Sequence, residues 1–564
     1  MEDLIRRGKK IINSRQNTIL SAAGVITVMI ILSQIFGLVR QWVILKFLGS
    51  DTFSLYLAAF RLPDLVFEVF AFGAFSSALI PVFSRYLRRS KKEAWDVASR
   101  VVNIGLLIFL GLAIVFGIFS YQFYSVVAFG FDSSQVDLVS KVARIIFFAE
   151  GLFIVSYVIT GVLESSRRFL VPALAPVLYN IGIILGTIIF SRTLGIYAPA
   201  IGVIIGAVMH LGIQIPVAYK LGFRFSTNFK TNNGVREVGR LAAPRFIDLA
   251  ALQIQKSAEL FFSSIMSVAS YGFLNLAYSL QAIPATLFGV SLAKAALVSL
   301  SYQEDLAEFR KTFLTTLNQM MFLIVPISAF LVVLRIPIVR LTFGTSQSLD
   351  WNATVQIGII LSYFAIGVPM QSALALISRA YYAKHDAKTP VIFQVIDVVL
   401  TLVLEAIFVL VMHLPLWSIA LANTLAVFIQ VSGLYVILAK KIGDGRFLSL
   451  TPTIKSIVFS ILSGGLMYFT LKLFDRSVWV QKIPILGAVV PENIPFEKFV
   501  IDTRYTLSLV LLTGIVTTLG VAVYVLLSWL TKSEELAALI RLINRRRVEL
   551  APAKREPLTV EPEV

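Results

Sequence analysis

The chain has 564 residues, of which 57% are hydrophobic and only 15% charged, and its net charge is +18. With a mean hydropathy of +0.83, this composition excludes a soluble globular protein of such length and implies many membrane spans. The basic residues are scattered in short clusters between apolar runs, which excludes a nucleic-acid-binding surface as the source of the charge.

Apolar runs of span length recur along the whole chain. About fourteen are predicted: 19–47, 53–84, 97–129, 136–165, 169–192, 198–221, 240–268, 273–302, 312–344, 353–383, 388–413, 416–440, 451–474 and 505–531. Residues 1–18 form a basic leader, and no small-residue cleavage site follows the first run, so that run reads as a retained span. Further basic clusters fall at Arg85–Lys92, Arg167-Arg168, Lys220–Arg240, Lys384–Lys388, Lys440–Arg446 and Arg545–Arg547. Loops between them, such as Gly130–Asp137 and Gly344–Trp351, are poor in Lys and Arg. The alternation predicts cytoplasmic N- and C-termini. The 532–564 tail reads as a short cytoplasmic helix, followed by a proline-containing stretch from Ala551 that is predicted to be disordered.

The second span carries Arg61, Asp64 and Glu68. A helix turns about 100° per residue, so these three share one face. A charge near the bilayer centre costs about 2.5–3.5 kcal/mol on insertion scales, which calls for a face lining a protein interior or a wet cavity. Snorkelling from the helix end is the other reading, strongest for Arg61 and weakest for Glu68 between Phe67 and Val69. The seventh span carries Arg245, Asp248, Lys256 and Glu259 on one face, and the eleventh carries Asp397, Thr401 and Glu405 at intervals of four. The buried acids have a plain alternative role, neutralised by Lys256 or Lys294 or protonated.

There are no cysteines, so disulfides and thiolate metal sites are excluded, and His210, His385 and His413 are too far apart in sequence to suggest a metal site. The chain shows no nucleotide loop, no nucleophile–base pair and no metal-ligand spacing, so an enzyme is not expected.

An internal repeat runs through the chain. Pro63-Asp64-Leu65-Val66-Phe67-Glu68-Val69 resembles Pro284-Ala285-Thr286-Leu287-Phe288-Gly289-Val290 at an offset of 221, pairing Ala74 with Ala295 and Leu79 with Leu300. The basic turns before Pro172 and Pro390 match at an offset of 218. The predicted fold is an all-α integral membrane protein with two six-helix lobes, 19–221 and 240–440, in pseudo-twofold arrangement about the membrane normal. A basic linker, 222–239, joins them, and two C-terminal spans occupy 451–531.

The segment Gly73-Ala74-Phe75-Ser76-Ser77-Ala78-Leu79-Ile80-Pro81 resembles the signature of the MurJ/MviN lipid II flippases, within the multidrug/oligosaccharidyl-lipid/polysaccharide exporter superfamily. Ser33–Arg40, Ala198–Gly206, Gln214-Ile215-Pro216, Gly222-Phe223-Arg224 and Ser378–Ala383, ending at Lys388-Thr389-Pro390, resemble further family motifs in the same order. The resemblance spans about residues 19–531. It implies outward transport of undecaprenyl-linked peptidoglycan precursor across the bacterial cytoplasmic membrane by alternating access. It further implies a lipid-facing groove built from the last two spans.

A diphosphate favours guanidinium forks, and Arg40 and Arg61 are the candidates. Spacing alone leaves Arg40 equally readable as a helix-end snorkel, whereas the family motif assigns it to the cavity. Asp64, Glu68, Ser279 and Gln281 complete the candidate substrate site. Glu259, Asp397 and Thr401 become, by the same resemblance, a candidate Na+ or H+ coupling site. Beyond such an ion no cofactor is expected. The partners expected are a lipid-linked glycan, membrane lipids and cell-wall synthesis proteins, without nucleic acid. The family pattern has Arg where this chain has Gln34, Phe67 and Ser279, and acids where it has Ser54 and Phe72. Two alternatives stay open on that ground: a flippase for another polyprenyl-linked oligosaccharide, and a transport-dead scaffold for envelope synthesis.

Overall fold

The computed structural model describes residues 19–242, 245–344, 349–442, 451–475, 503 and 505–541. The basic leader, the Arg446 end of its cluster, most of the 475–504 loop and the tail from residue 542 lie outside the described residues.

All the described elements are helices. The N-terminal lobe comprises α1 (Ile19–Ala59), α2 (Arg61–Val66), α3 (Gly73–Arg89), α4 (Lys91–Ile118), α5 (Ser120–Val127), α6 (Ser133–Ser165), α7 (Leu170–Leu194), α8 (Tyr197–Gly212) and α9 (Ile215–Lys220). The linker holds α10 (Asn233–Ala242). The second lobe comprises α11 (Arg245–Met266), α12 (Ser270–Pro284), α13 (Ser291–Ser301), α14 (Leu306–Val333), α15 (Arg335–Thr342), α16 (Trp351–Ala383), α17 (Lys388–Ala406) and α18 (Trp417–Ile442). Then come α19 (Thr451–Phe474) and α20 (Thr506–Leu530).

Among the described residues, twelve helical segments are long and apolar enough to cross a membrane, the first being Gly24–Val69. That segment contains two predicted spans, because the chain breaks direction at Gly49 (φ 81°, ψ 172°), a conformation open to glycine alone without strain. Helix α11 is as long as its neighbours, but Gln253, Gln255, Lys256 and Glu259 make it too polar to meet that criterion. The break and this added helix account for the predicted fourteen spans. The chain is a multi-pass membrane protein.

The repeat is visible in the backbone itself. A π-helical turn interrupts the second span at Phe67–Phe72 and the eighth at Ala285–Val290, starting 218 residues apart. Asp132 and Asp350 cap α6 and α16 with the same dihedrals, φ −72° and −73°. Arg167 and His385 have positive φ at matching turns (57° and 58°), as do Gly195 and His413 (53° and 51°). All these pairs share one register, so the 221 offset read from Pro63 and Pro284 is corrected to 218. A slip of three residues in a helix keeps side chains on nearly the same face, which is why apolar letters match at the wrong offset.

The tightest backbone contacts between the two lobes lie at one end. Ser54 Oγ accepts from the Gly272 N–H at 3.2 Å, and these two residues are themselves 218 apart. Repeat mates that touch must flank the axis relating them. Nearby, Gly130 N–H donates to Ser264 Oγ at 3.1 Å, and a Cβ on Gly130 would sit 2.1 Å from the Ser264 carbonyl oxygen. One apolar core runs through both lobes at this end, including Phe53, Tyr56, Leu62, Leu260, Tyr271 and Ile419. At the linker end the cores separate, one around Val82, Trp95 and Val238, another around Phe309, Met320 and Leu434. The apolar core is therefore shared at one end and split between the lobes at the other.

Candidate functional site

The second span starts under tight backbone control. Tyr124 of α5 donates its hydroxyl to the Ala59 carbonyl at 2.7 Å and accepts from the Leu62 N–H at 3.2 Å. Both groups lie at the α1–α2 junction, where helix ends leave backbone groups unpaired. Arg61 is fixed between them. Its Nη2 donates to Asp64 Oδ2 at 2.6 Å, an i,i+3 pair, while its buried Nε has no acceptor among the described residues. The π turn follows directly, from Phe67. Such turns insert an extra residue into the helix and are frequent at functional sites.

Arg61 faces a cavity of about 260 Å³ between the lobes, just inside their shared core. Helix α11 supplies Gln255, Lys256 and Glu259, α12 supplies Tyr271, Asn275 and Tyr278, and Phe364, Ile419 and Asn423 close the far wall. The α12 residues recur at helical spacing and present one polar-aromatic stripe. Arg61 and Glu259, assigned from sequence to different tasks, thus line the same space. Lys256 makes no ion pair among the described residues, so the cavity holds two cationic side chains with donors to spare. A phosphate or diphosphate group is the natural complement to such donors.

The remaining predicted residues are more dispersed. Arg40 is half-buried on α1 without an ion pair among the described residues. Glu68 is half-buried below Asp64. Ser279 lies outside the cavity lining and donates to Gln41 Oε1 at 3.0 Å, tying α12 to α1. Gln281 is buried away from the lining, with Oε1 lacking a partner among the described residues. Asp397 and Thr401 are buried on α17, which packs against α11. Asp397 Oδ1, Thr401 Oγ1 and both Glu405 carboxylate oxygens lack partners among the described residues. It is Glu405, two turns beyond Asp397, that interacts electrostatically with Glu259. The side chains of Arg245 and Asp248 are outside the described set.

Glu150 on α6 escaped the sequence reading. It is buried and within electrostatic range of Asp64 and Glu68. The signal was present, since a lone acid in the middle of the 136–165 run poses the same cost as Glu68.

Comparison with known proteins places this arrangement. The family model described as "Lipid II flippase MurJ" matches residues 44–488. A probable lipid II flippase MurJ of Buchnera aphidicola is 26% identical over 470 residues, covering 80% of this chain and 90% of the relative. That of Aquifex aeolicus is 24% identical over 490 residues, covering 86% and 95%. Among solved structures, a lipid II flippase MurJ in an inward closed conformation superimposes with a TM-score of 0.72 at 23% identity, over 90% of this chain and 98% of that one. An inward-facing multidrug resistance MATE transporter of the MOP superfamily gives 0.60 at 14% identity, over 73% and 94%. With the family model matching most of its length, this chain belongs to the lipid II flippase MurJ family.

Proposed function

We propose that this protein flips lipid II outward across the bacterial cytoplasmic membrane by alternating access, with both termini in the cytoplasm. The observation that carries the reading is the cavity at the junction of the lobes, with Arg61 Nε and Lys256 available to an oxyanion. A lipid-linked diphosphate must be hidden from hydrocarbon while its polyprenyl tail stays in lipid. Arg61 and Lys256 would take the diphosphate oxygens, Asn275 and Tyr278 the sugar hydroxyls, and the end where the core is split would admit the headgroup. Arg40, Asp64, Glu68, Ser279 and Gln281 would shape the path around that point. The chemistry is binding and release, with no covalent step.

Asp397 and Thr401 are proposed to bind Na+ or H+, with Glu259, whose neighbour on α17 is Glu405, as a separate proton-carrying acid, and their occupancy to be coupled to lobe rotation. Hard cations take oxygen ligands, and the unpartnered oxygens of Asp397 and Thr401 are of that kind.

The test is complementation. The chain is expressed in a bacterium depleted of its own lipid II flippase, with Arg40→Ala and Glu259→Gln alongside. Growth restored by the unaltered chain and lost with Glu259→Gln is expected. Membrane expression at normal level without restored growth would contradict the reading and favour another polyprenyl-linked oligosaccharide. Full rescue by both variants would favour a scaffold that does not transport.

A further inference from the structure

A second cavity, of about 310 Å³, lies far from the first, where α19 begins and α20 ends. Its lining combines Lys455 and Lys532 with Glu534 and Glu535, and adds Ser456, Ser528, Ser533, Phe322 and Phe459. Neither lysine makes an ion pair among the described residues, and Glu534 makes none either. Glu535 Oε2 accepts from Ser533 Oγ at 2.6 Å. Two cations and two carboxylates therefore face one space without neutralising each other directly.

The surroundings set the depth of this cavity. Immediately next to Lys455, α19 exposes Ile454, Ile457, Val458, Ile461 and Leu462, an apolar face that only lipid would cover in a membrane helix. At the end of α20, Trp529 and Leu530 are exposed, with Trp529 at 64%. An exposed tryptophan at a helix end marks the headgroup level. Lys532 follows three residues later in a left-handed conformation (φ 51°), and the helical stretch that starts at Glu534 adds Glu534 and Glu535 to the lining. The cavity thus sits at headgroup depth, with an acyl-chain surface rising directly from it.

We propose that this cavity binds the headgroup of an aminophospholipid, with the phosphate on Lys455 and Lys532 and the primary ammonium on Glu534 and Glu535. A purely anionic headgroup would leave the carboxylates facing it unpaired, and a trimethylated ammonium has no N–H to donate to them. The bipolar lining selects a phosphate and a primary amine held a few bonds apart, and the adjoining apolar face takes the chains.

The experiment is native mass spectrometry of the full chain with added phosphatidylethanolamine, phosphatidylcholine or phosphatidylglycerol, and with soluble glycerophosphoethanolamine as competitor. Phosphatidylethanolamine should be retained roughly tenfold better than phosphatidylcholine, the scale of one lost charge-assisted contact. Lys455→Gln with Lys532→Gln should weaken all three lipids. Glu534→Gln with Glu535→Gln should bring phosphatidylethanolamine down to the phosphatidylcholine level and raise the retention of phosphatidylglycerol. Competition by glycerophosphoethanolamine supports headgroup recognition. Equal retention of the three lipids by the unaltered chain, or phosphatidylethanolamine retention unchanged in both double variants, would overturn the proposal.

Discussion

The second and eighth spans use the same backbone and opposite chemistry. Each starts beside the shared axis, each is broken by a π-helical turn, and the turns are in register. In that register Arg61 corresponds to Ser279, Asp64 to Ala282 and Glu68 to Thr286. The break persists where the charges are gone, so it belongs to the architecture and not to the polar site. Of these two repeat mates, only the second span carries the charges. A symmetric frame thus carries an asymmetric cavity, whose ionic groups come from the second span on one side and α11 on the other.

The largest effect should come from testing that asymmetry directly. Arg61→Ala should lower flipping about 100-fold, the equivalent of about 3 kcal/mol for hydrogen bonds to a charged group. Ser279→Ala, its repeat mate, should cost less than about threefold, because its hydroxyl serves an α12–α1 contact. Flipping rates of the two variants at matched membrane expression check this, and equal losses would break the comparison.

Next in size is a packing difference between the same lobes. Helices α7 and α8 cross at Gly182 and Gly186 against Gly206 and Gly202, where an added Cβ would lie 2.3 Å from the opposing Cα. Small residues let membrane helices approach this closely. The corresponding positions on α17 and α18 are Leu400, Leu404, Thr424 and Ala420. Gly182→Leu should destabilise the chain by about 1–3 kcal/mol, the usual cost of overpacking, whereas Leu400→Ile should be close to neutral. Thermal unfolding in detergent distinguishes them.

A smaller effect is expected at the lobe junction. Gly130→Val forces the Ser264 backbone away and should speed thiol labelling of Ser54→Cys severalfold. The chain has no native cysteine, so the label reports that site alone. Unchanged labelling would mean that the junction does not depend on this contact.

The smallest effect concerns matching turns of opposite charge, Arg168 in one lobe and Asp386 in the other. The Lys441 ammonium, 2.5 Å away, and the Thr389 N–H hold the Asp386 carboxyl down at about 2. Its folded value is depressed, so its stabilising contribution is complete above the usual carboxylate value of about 4 and is lost as pH falls toward 2. Asp386→Asn should lower Tm by about one degree or less at neutral pH, the size expected for a partly exposed pair in a chain of this length. The gap should close on acidification, and a gap independent of pH would remove this contact from the account.

Much of this was legible in the sequence. Span count and class follow from hydropathy, and the α11 charges, too polar to meet a span criterion, still read as a helix because its apolar positions keep a helical period. Arg61, Asp64 and Glu259 stood out because a charge in hydrocarbon needs a reason. What the sequence could not show was that Arg61 and Glu259, nearly two hundred residues apart, line one cavity. That depends on how the lobes dock, and docking is written in Ser54, Gly130, Ser264 and Gly272, which look like ordinary small residues. Ser279 and Gln281 were assigned to the site by the family resemblance, in which an Arg precedes the eighth-span proline, yet Tyr271, Asn275 and Tyr278 form the lining. One helix carries both sets, and only the rotation of α12 against its neighbours decides which set faces the cavity.

The most direct measurement is the fraction of lipid II exposed on the outer leaflet of cells that lack their own flippase and carry this chain, with and without Arg61→Ala. The account predicts exposure restored by the unaltered chain, abolished by Arg61→Ala and partly recovered by Arg61→Lys. Exposure at the same level with all three would contradict the central role given to the cavity between the lobes.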